Sequence, residues 1–280
     1  MAPRRRWTLS LVAGLGLAWV GFLLVTHPSN DRDWVPNERV LPYAEFDGDL
    51  VRIHNVRNTA YRTAEDFTPA YYDTTLDLAR LRTVWFSVVP FATWTGAAHT
   101  FLSFGFDGAR GPTFLAVSVE ARKERGEGYD PVKGMFRRYE IMYVVADERD
   151  AIRLRANYRH DDVFLYPIKA THAGVRALFV AMLERANRLR AEPEFYNTLT
   201  NNCTNTIAKH VNSLSPHRIP FSLKIVFPAY ADRLAYDLGL IDTDLPYDSI
   251  RPHFRINERA MQYADSVDFS IRIRERASMP

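Results

Sequence analysis

The stretch YNTLTNNCTNTIAKH, Tyr196 to His210, carries the single cysteine of a 280-residue chain. Asn201 and Asn202 are good helix N-caps, so a helix should start at Cys203. A thiol in a first helical turn meets unpaired backbone N–H groups and the positive end of the macrodipole. Both favour the thiolate. The same N–H groups can hold the oxyanion of a carbonyl under attack. Cys203 is thus the candidate nucleophile. The bland alternative is a buried, inert cysteine, a common fate for this residue type. Against it, the neighbours are asparagines and threonines, where a core cysteine would have apolar ones.

A thiol nucleophile needs a base, and the chain offers eight histidines. His210 lies two turns along the same helix, too far for a direct bond to Cys203. His160, His172, His210, His217 and His253 stand in charged or loop-like surroundings and read as solvated surface. His99 differs: it opens a strand, follows the small residues GAA and precedes the apolar run TFLSFGF. Small residues at a strand mouth leave room for a second group to approach. The competing reading is an edge-strand histidine bonded to nearby backbone.

Glu120 follows from register. If the strand from His99 and the strand ending at Arg122 form a hairpin around GARG, Asp107 faces Pro112. Counting outward then sets His99 opposite Glu120. Opposed residues hold their Cβ atoms about 4.5–5.5 Å apart. A carboxylate there could fix the imidazole tautomer and stabilise its protonated form. A strand-end salt bridge with Arg122 or Lys123 is the alternative role. Asn202, Thr204 and Tyr196, beside Cys203, are the candidates for substrate binding or for the oxyanion. No metal or cofactor is expected.

The elements that must position these groups have two characters. From DGDLVRIHNV onward the chain reads as strands, with TVWFSVVPF, HTFLSFGF, PTFLAVSVEAR, FRRYEIMYVVAD and DVFLYPI as successive members. THAGVRALFVAMLERANRLRAE then sets Val175, Leu178, Phe179, Met182, Leu183, Ala186 and Leu189 on one helical face, with Thr171 as N-cap. A second helix should run from Cys203 to Leu214, with Ile207, Val211 and Leu214 inward and Pro216 and Pro220 ending it. PAYADRLAYDLGLI is a further short helix. The class is α+β: an antiparallel sheet with helices covering one face.

The N-terminus sets the compartment. Arg4, Arg5 and Arg6 precede an uncharged apolar run of about 19 residues, Trp7 to Val25, close to the ~20 that cross a bilayer. Arginines stay cytoplasmic, so the remainder lies outside. A cleaved signal peptide competes. The run is long for a signal core of ~7–15 residues, however, and no clear A-x-A site follows. Residues 1–27 are read as an anchor, 28–42 as a polar linker and 43–280 as an exported domain. That places the chain in the inner membrane, single-pass, with its domain in the periplasm. The formal charge of +3 equals the three arginines before the run, so the exported part is near neutral and nucleic acid is an unsuitable partner. A lone thiol outside the cytoplasm risks oxidation, so it needs a reason to be kept.

A histidine on a strand followed by a distant cysteine at a helix start reverses the order in papain. It resembles the circularly permuted NlpC-type papain-like fold, which includes the lecithin retinol acyltransferase group. There an Asn-Cys dipeptide opens the helix, as Asn202-Cys203 does here. The blocks NVRNTAYRT, AHTFLSFGF, SVEARKERGEGYD, RYEIMYVVADERDAIRLRAN and PEFYNTLTNNCTNTI, between about Asp33 and Ile241, are similar to the Lnb N-terminal periplasmic domain family. That resemblance implies a lipoprotein N-acyltransferase. Such an enzyme takes an acyl chain from a phospholipid through a cysteine thioester and passes it to the N-terminal amine of a lipid-modified lipoprotein. The family's nucleophile, histidine and carboxylate then fall on Cys203, His99 and Glu120. A cell-wall peptidase or amidase of NlpC type would use the same thiol and histidine. A non-catalytic envelope scaffold would need Cys203 buried away from any cleft.

Overall fold

Asp47-Gly48 starts the sheet. Gly48 takes a φ of 60°, which a glycine adopts freely, and the Gly48-Asp49 loop folds β1 (Tyr43–Asp47) onto β2 (Leu50–Arg57) with Asp47 paired to Leu50. The computed structural model describes residues 3–91, 95–109, 111–215 and 218–275. A two-stranded ribbon, β3 (Ala60–Tyr61) with β4 (Phe67–Thr68), precedes β5 (Tyr71–Asp77), which also pairs with β2. The sheet is completed by β6 (Leu81–Pro90), β7 (Ala98–Phe106), β8 (Thr113–Arg122), β9 (Glu140–Asp147) and β10 (Phe164–Pro167). Its order is β1-β2-β9-β8-β7-β6-β10, antiparallel except for the contact between β2 and β9. The fold is α+β.

Helices cover both faces of this sheet, where the sequence suggested one. Every residue of β7 is buried, as are nearly all of β9, so neither parity faces water. Strands this apolar at both parities need two covers. On one side lie α3 (His172–Ala191) and α4 (Cys203–Leu214), packed on Leu102, Phe104, Val117 and Tyr143. On the other, α2 (Glu148–Arg153) leads directly into a π-helical turn, Leu154–Tyr158. These pack with C-terminal helices on Phe101, Ala116, Met142 and Val144. After α5 (Leu223–Val226), α6 (Ala231–Asp237) and α7 (Tyr247–Phe254) add Ala231, Ala235, Ile250 and Phe254 to the first cover; α8 (Asn257–Gln262) and α9 (Phe269–Arg272) end the second one.

The α3 face is the one its periodicity indicates. The Thr171 hydroxyl accepts from Gly174 N at 3.1 Å, and the seven residues expected inward are the buried ones. Phe179 packs on Phe104 with ring centroids 4.8 Å apart. In α4, Ile207 is buried, but Leu214 ends the helix 44% exposed. Pro216 and His217 lie outside the described residues.

Residues 28–42 are irregular, as a linker would be, yet they are fastened to the domain. Trp34 is 2% exposed beneath the Arg122 guanidinium, which stands 4.1 Å from its ring centroid. Arg122 in turn donates to the carbonyls of Glu38 and Arg39 and to Asn30 Oδ1. Val35 N bonds Lys123 O, and Arg32 pairs with Glu140 at 2.8 Å. Trp34 and its cation–π partner hold the segment down, which its polar composition did not signal.

The first helix, α1, spans Pro3–Val25. Its C-terminal end touches the domain: Arg137 donates to the carbonyls of Leu23 and Thr26, and the Trp19 ring meets Phe136 edge-on at 6.2 Å. Among the described residues, no helix is long and apolar enough to cross a membrane. Much of the α1 side-chain surface lies outside that description.

Candidate active site

The hairpin of β7 and β8 carries the histidine and the carboxylate. Phe106 pairs with Thr113 and Phe101 with Ser118, without a bulge, so the counted register is the one found. The ladder stops at Phe101 and Ser118, although β7 extends back to Ala98 and β8 on to Arg122. In this unzipped end His99 Nε2 stands 3.2 Å from Glu120 Oε1. Ser118, two residues before Glu120 and therefore on the same face, places its hydroxyl between them. It accepts from His99 Nε2 at 2.7 Å and donates to Glu120 Oε1 at 2.8 Å. With Nε2 committed to Ser118 and Glu120, Nδ1 is the nitrogen left for the thiol, and His99 and Cys203 are near enough to shift each other's pKa.

Cys203 is the first residue of α4, as the asparagines suggested. Asn202 Oδ1 accepts from Asn205 N at 2.9 Å, and Asn205 Oδ1 accepts from Asn202 N at 2.7 Å, a reciprocal capping box. Asn202 Nδ2 donates to Thr198 O at 2.7 Å. Asn197 caps the turn before it and Asn201 reaches Phe195 O. The polar run around the cysteine is thus spent on loop backbone. Asn202, a candidate for substrate contact, has its whole side chain committed to building the helix start. Asn205 N is satisfied by the cap, which leaves the N–H groups of Cys203 and Thr204 as first-turn donors with no backbone acceptor among the described residues.

Thr204 and Tyr196 are both buried beside the thiol. Thr204 Oγ1 lies 3.8 Å from Cys203 Sγ and 2.9 Å from Thr100 Oγ1. Tyr196 OH meets Tyr129 OH at 3.2 Å. Burial, and then the nearby charge at Cys203, push the Tyr196 phenol far up, so it stays a donor.

Electrostatics organise the set. Burial alone would raise the Cys203 thiol. The hydrogen bond and charge of His99, with the Thr100 hydroxyl and N–H, outweigh it and bring the thiol down to about 7. Burial would lower His99, but the Glu120 charge prevails and its pKa rises above the usual imidazole value. Glu120 is held well below the carboxylate range: burial works against this, while His99, Arg155 and Lys123 impose it. The result is a sulfur poised to ionise beside an imidazole poised to hold a proton.

Sequence reading missed Ser118, Thr100 and Arg155. Ser118 could have been found from its i, i+2 relation to Glu120. Arg155 could not. It belongs to the π-helical turn, where its guanidinium donates to Glu120 Oε1 at 3.0 Å and Ala151 O at 2.7 Å and covers the Phe101 ring at 5.1 Å. Such turns often occur at functional sites. Among the other histidines, His210 is half-buried and accepts from Tyr143 OH at 2.6 Å, with burial and then Arg185 driving its pKa down to about 4. It is no solvated surface group. His160 and His172 are exposed as read.

Cys203 is 4% exposed. A cavity of about 480 Å³ lies between Tyr72, Phe106, Asp147 and Ile271, and a small one of about 40 Å³ near Trp85 and His253; neither is lined by Cys203 or His99. No curated protein and no solved structure matches the chain. A family profile covers residues 67–229, a span that contains His99, Ser118, Glu120, Arg155 and Cys203, and by it the chain belongs to the Lnb N-terminal periplasmic domain family.

Proposed function

We propose that this chain is a membrane-anchored thiol acyltransferase. In this reading it takes an acyl chain from a phospholipid and passes it to the N-terminal amine of a lipid-modified lipoprotein cysteine. The observation that carries it is the buried Cys203–His99 pair, with the thiol drawn down to about 7 and the imidazole backed by Ser118 and Glu120.

The chemistry has two halves. Cys203 sulfur attacks the ester carbonyl of the donor, and the Cys203 and Thr204 N–H groups face the developing oxyanion. The intermediate collapses to a thioester, and His99 hands its proton to the departing lysophospholipid oxygen. The acceptor amine then attacks the thioester, His99 takes its proton, and the sulfur leaves as thiolate. Glu120, through Ser118, holds the ring so that Nδ1 faces the sulfur in both halves. The α1 helix serves as the inner-membrane anchor, with the domain in the periplasm. On this reading the fold is a permuted papain-like thiol fold, which the order of strand histidine and helix-start cysteine supports.

The burial of Cys203, with neither cavity reaching it, is the observation that favours a scaffold instead. Mass spectrometry of the chain after incubation with phospholipid vesicles decides. An acyl mass on Cys203, released by hydroxylamine and transferable to a diacylated lipopeptide, is the expected result. Cys203 that stays unmodified would overturn the proposal, and cleavage of cell-wall peptides by the same thiol would point to the hydrolase.

A further inference from the structure

The end of the sheet that holds Cys203 and His99 is also where exposed aromatic and aliphatic side chains gather. At this end β6 and β8 finish and β7 and β9 begin, so residues 95–97, 123–139 and 192–202 all meet there. Phe136 is 50% exposed and Leu199 47%, and their loops are joined by Thr198, which bonds Pro131 O and Gly134 O. On the other flank Phe227 and Tyr230 are each 48% exposed. This flank is held to the β6–β7 loop by the bond from Ala229 N to Gly96 O, and the Phe227 ring lies against Gly96. Phe91 and Tyr129 bridge the two flanks with ring centroids 6.4 Å apart.

Exposed apolar groups gathered at one place mark a contact surface. What they contact is indicated by α1. Its C-terminal end arrives at this same end of the sheet, where Trp19 meets Phe136 and Arg137 grips the Leu23 and Thr26 carbonyls. The fastened segment 28–42 then leaves no free tether between helix and domain, since Ser29 and Arg32 bond Glu140 at the start of β9. A bilayer that accepted the apolar run of α1 would therefore lie directly against this collar.

We infer that the collar around Phe136, Leu199, Phe227 and Tyr230 is a bilayer-docking face. It seats the open end of the sheet on the lipid surface with its side chains at headgroup depth. The inference rests on the anchor reading of α1 for its orientation, and it gives the acyl-transfer reading a route by which a lipid chain reaches Cys203 without crossing water.

The test uses the full chain reconstituted in vesicles of phosphatidylethanolamine and phosphatidylglycerol. Phe227→Trp adds a fluorophore on the collar, beside Gly96. Its added emission should be blue-shifted and quenched by lipids brominated high on the acyl chain; emission characteristic of water and untouched by those lipids overturns the docking face. A second variant, Leu199→Glu with Phe227→Glu, should reduce acyl transfer from vesicle phospholipid roughly tenfold or more. Acylation of Cys203 by a water-soluble short-chain ester should stay unchanged. Equal rates from vesicles for variant and parent overturn the proposal. If Cys203 of the parent accepts an acyl group from neither donor, the acyl-transfer reading fails, and the quenching result alone still decides the face.

Discussion

His99 Nε2 and Glu120 Oε1 are 3.2 Å apart, and the Ser118 hydroxyl completes a second, relayed path between them. Imidazole orientation thus has two supports of unequal weight, the charge and the relay. Glu120→Gln removes the charge while keeping an oxygen that can accept from Ser118; losing Ser118 removes only the relay. Ser118→Ala should therefore cost roughly tenfold in acyl transfer, and Glu120→Gln roughly 10²–10⁴-fold. Single-turnover thioester formation measures both. Equal losses in the two variants would show that the direct contact is idle.

Glu120 also neutralises Arg155, whose side chain is 6% exposed. Glu120→Gln leaves that guanidinium without its counter-charge and should cost about 3 kcal/mol of stability. Adding Arg155→Met removes the stranded charge. The double variant should regain much of the lost thermal stability and none of the activity. Thermal unfolding followed beside thioester formation separates the two roles.

The pH dependence of thiol alkylation reads the Cys203–His99 pair directly. The thiol is depressed to about 7 and the imidazole raised, so the thiolate should be populated above about pH 7 and fade as pH falls through that value. The ordinary free-thiol midpoint is about 8.5. In His99→Ala the burial of Cys203 is no longer opposed by the imidazole, and the midpoint should move up by roughly a unit or more. A profile identical to that of the parent would break the assignment of His99 as the base.

Cys203→Ala should abolish thioester formation and leave the fold intact, because it removes a single sulfur atom from an enclosed site and adds no polar group. Cys203→Ser should be nearly as inactive, since an alcohol beside this histidine is a far weaker nucleophile. Intact-protein mass spectrometry and circular dichroism check the two statements together.

Asn202→Ala tests the helix start. It removes a cap that bonds Asn205 N and Thr198 O, for about 1 kcal/mol and a melting shift of about 2–4 °C. The first turn then frays, so the alkylation midpoint of Cys203 should rise as well. Asn202→Ser keeps the cap and should recover most of both. A normal midpoint in the alanine variant would mean the helix start contributes nothing to the thiol.

Much of this arrangement could be read from residue types, for reasons that are local. The β7–β8 hairpin has a short loop and no bulge, so counting gave the opposed pair. Asn202 caps whatever follows it, so the helix start was visible. The α3 face had a complete apolar stripe. The rest depended on distant partners. Arg155 comes from a π-helical turn whose sequence, LRANY, has no distinguishing period. Trp34 pins a segment that looks like a linker because its partner, Arg122, is on a strand some ninety residues away. The second cover of the sheet was hidden because its helices α8 and α9 are six and four residues long, too short for a periodic stripe to declare itself.

The unbroken ladder from Phe106 and Thr113 to Phe101 and Ser118 has a consequence for how the chain tolerates change. Surface loops usually absorb insertions and deletions without harm. The connection between Asp107 and Pro112 lies about eight strand residues, roughly 27 Å, from His99. One residue more or less there, taken up by sliding the strands, would bring Val119 or Ala121 opposite His99. The number of residues in a distant bend thus decides, as much as the identity of residue 120, whether a carboxylate stands opposite His99.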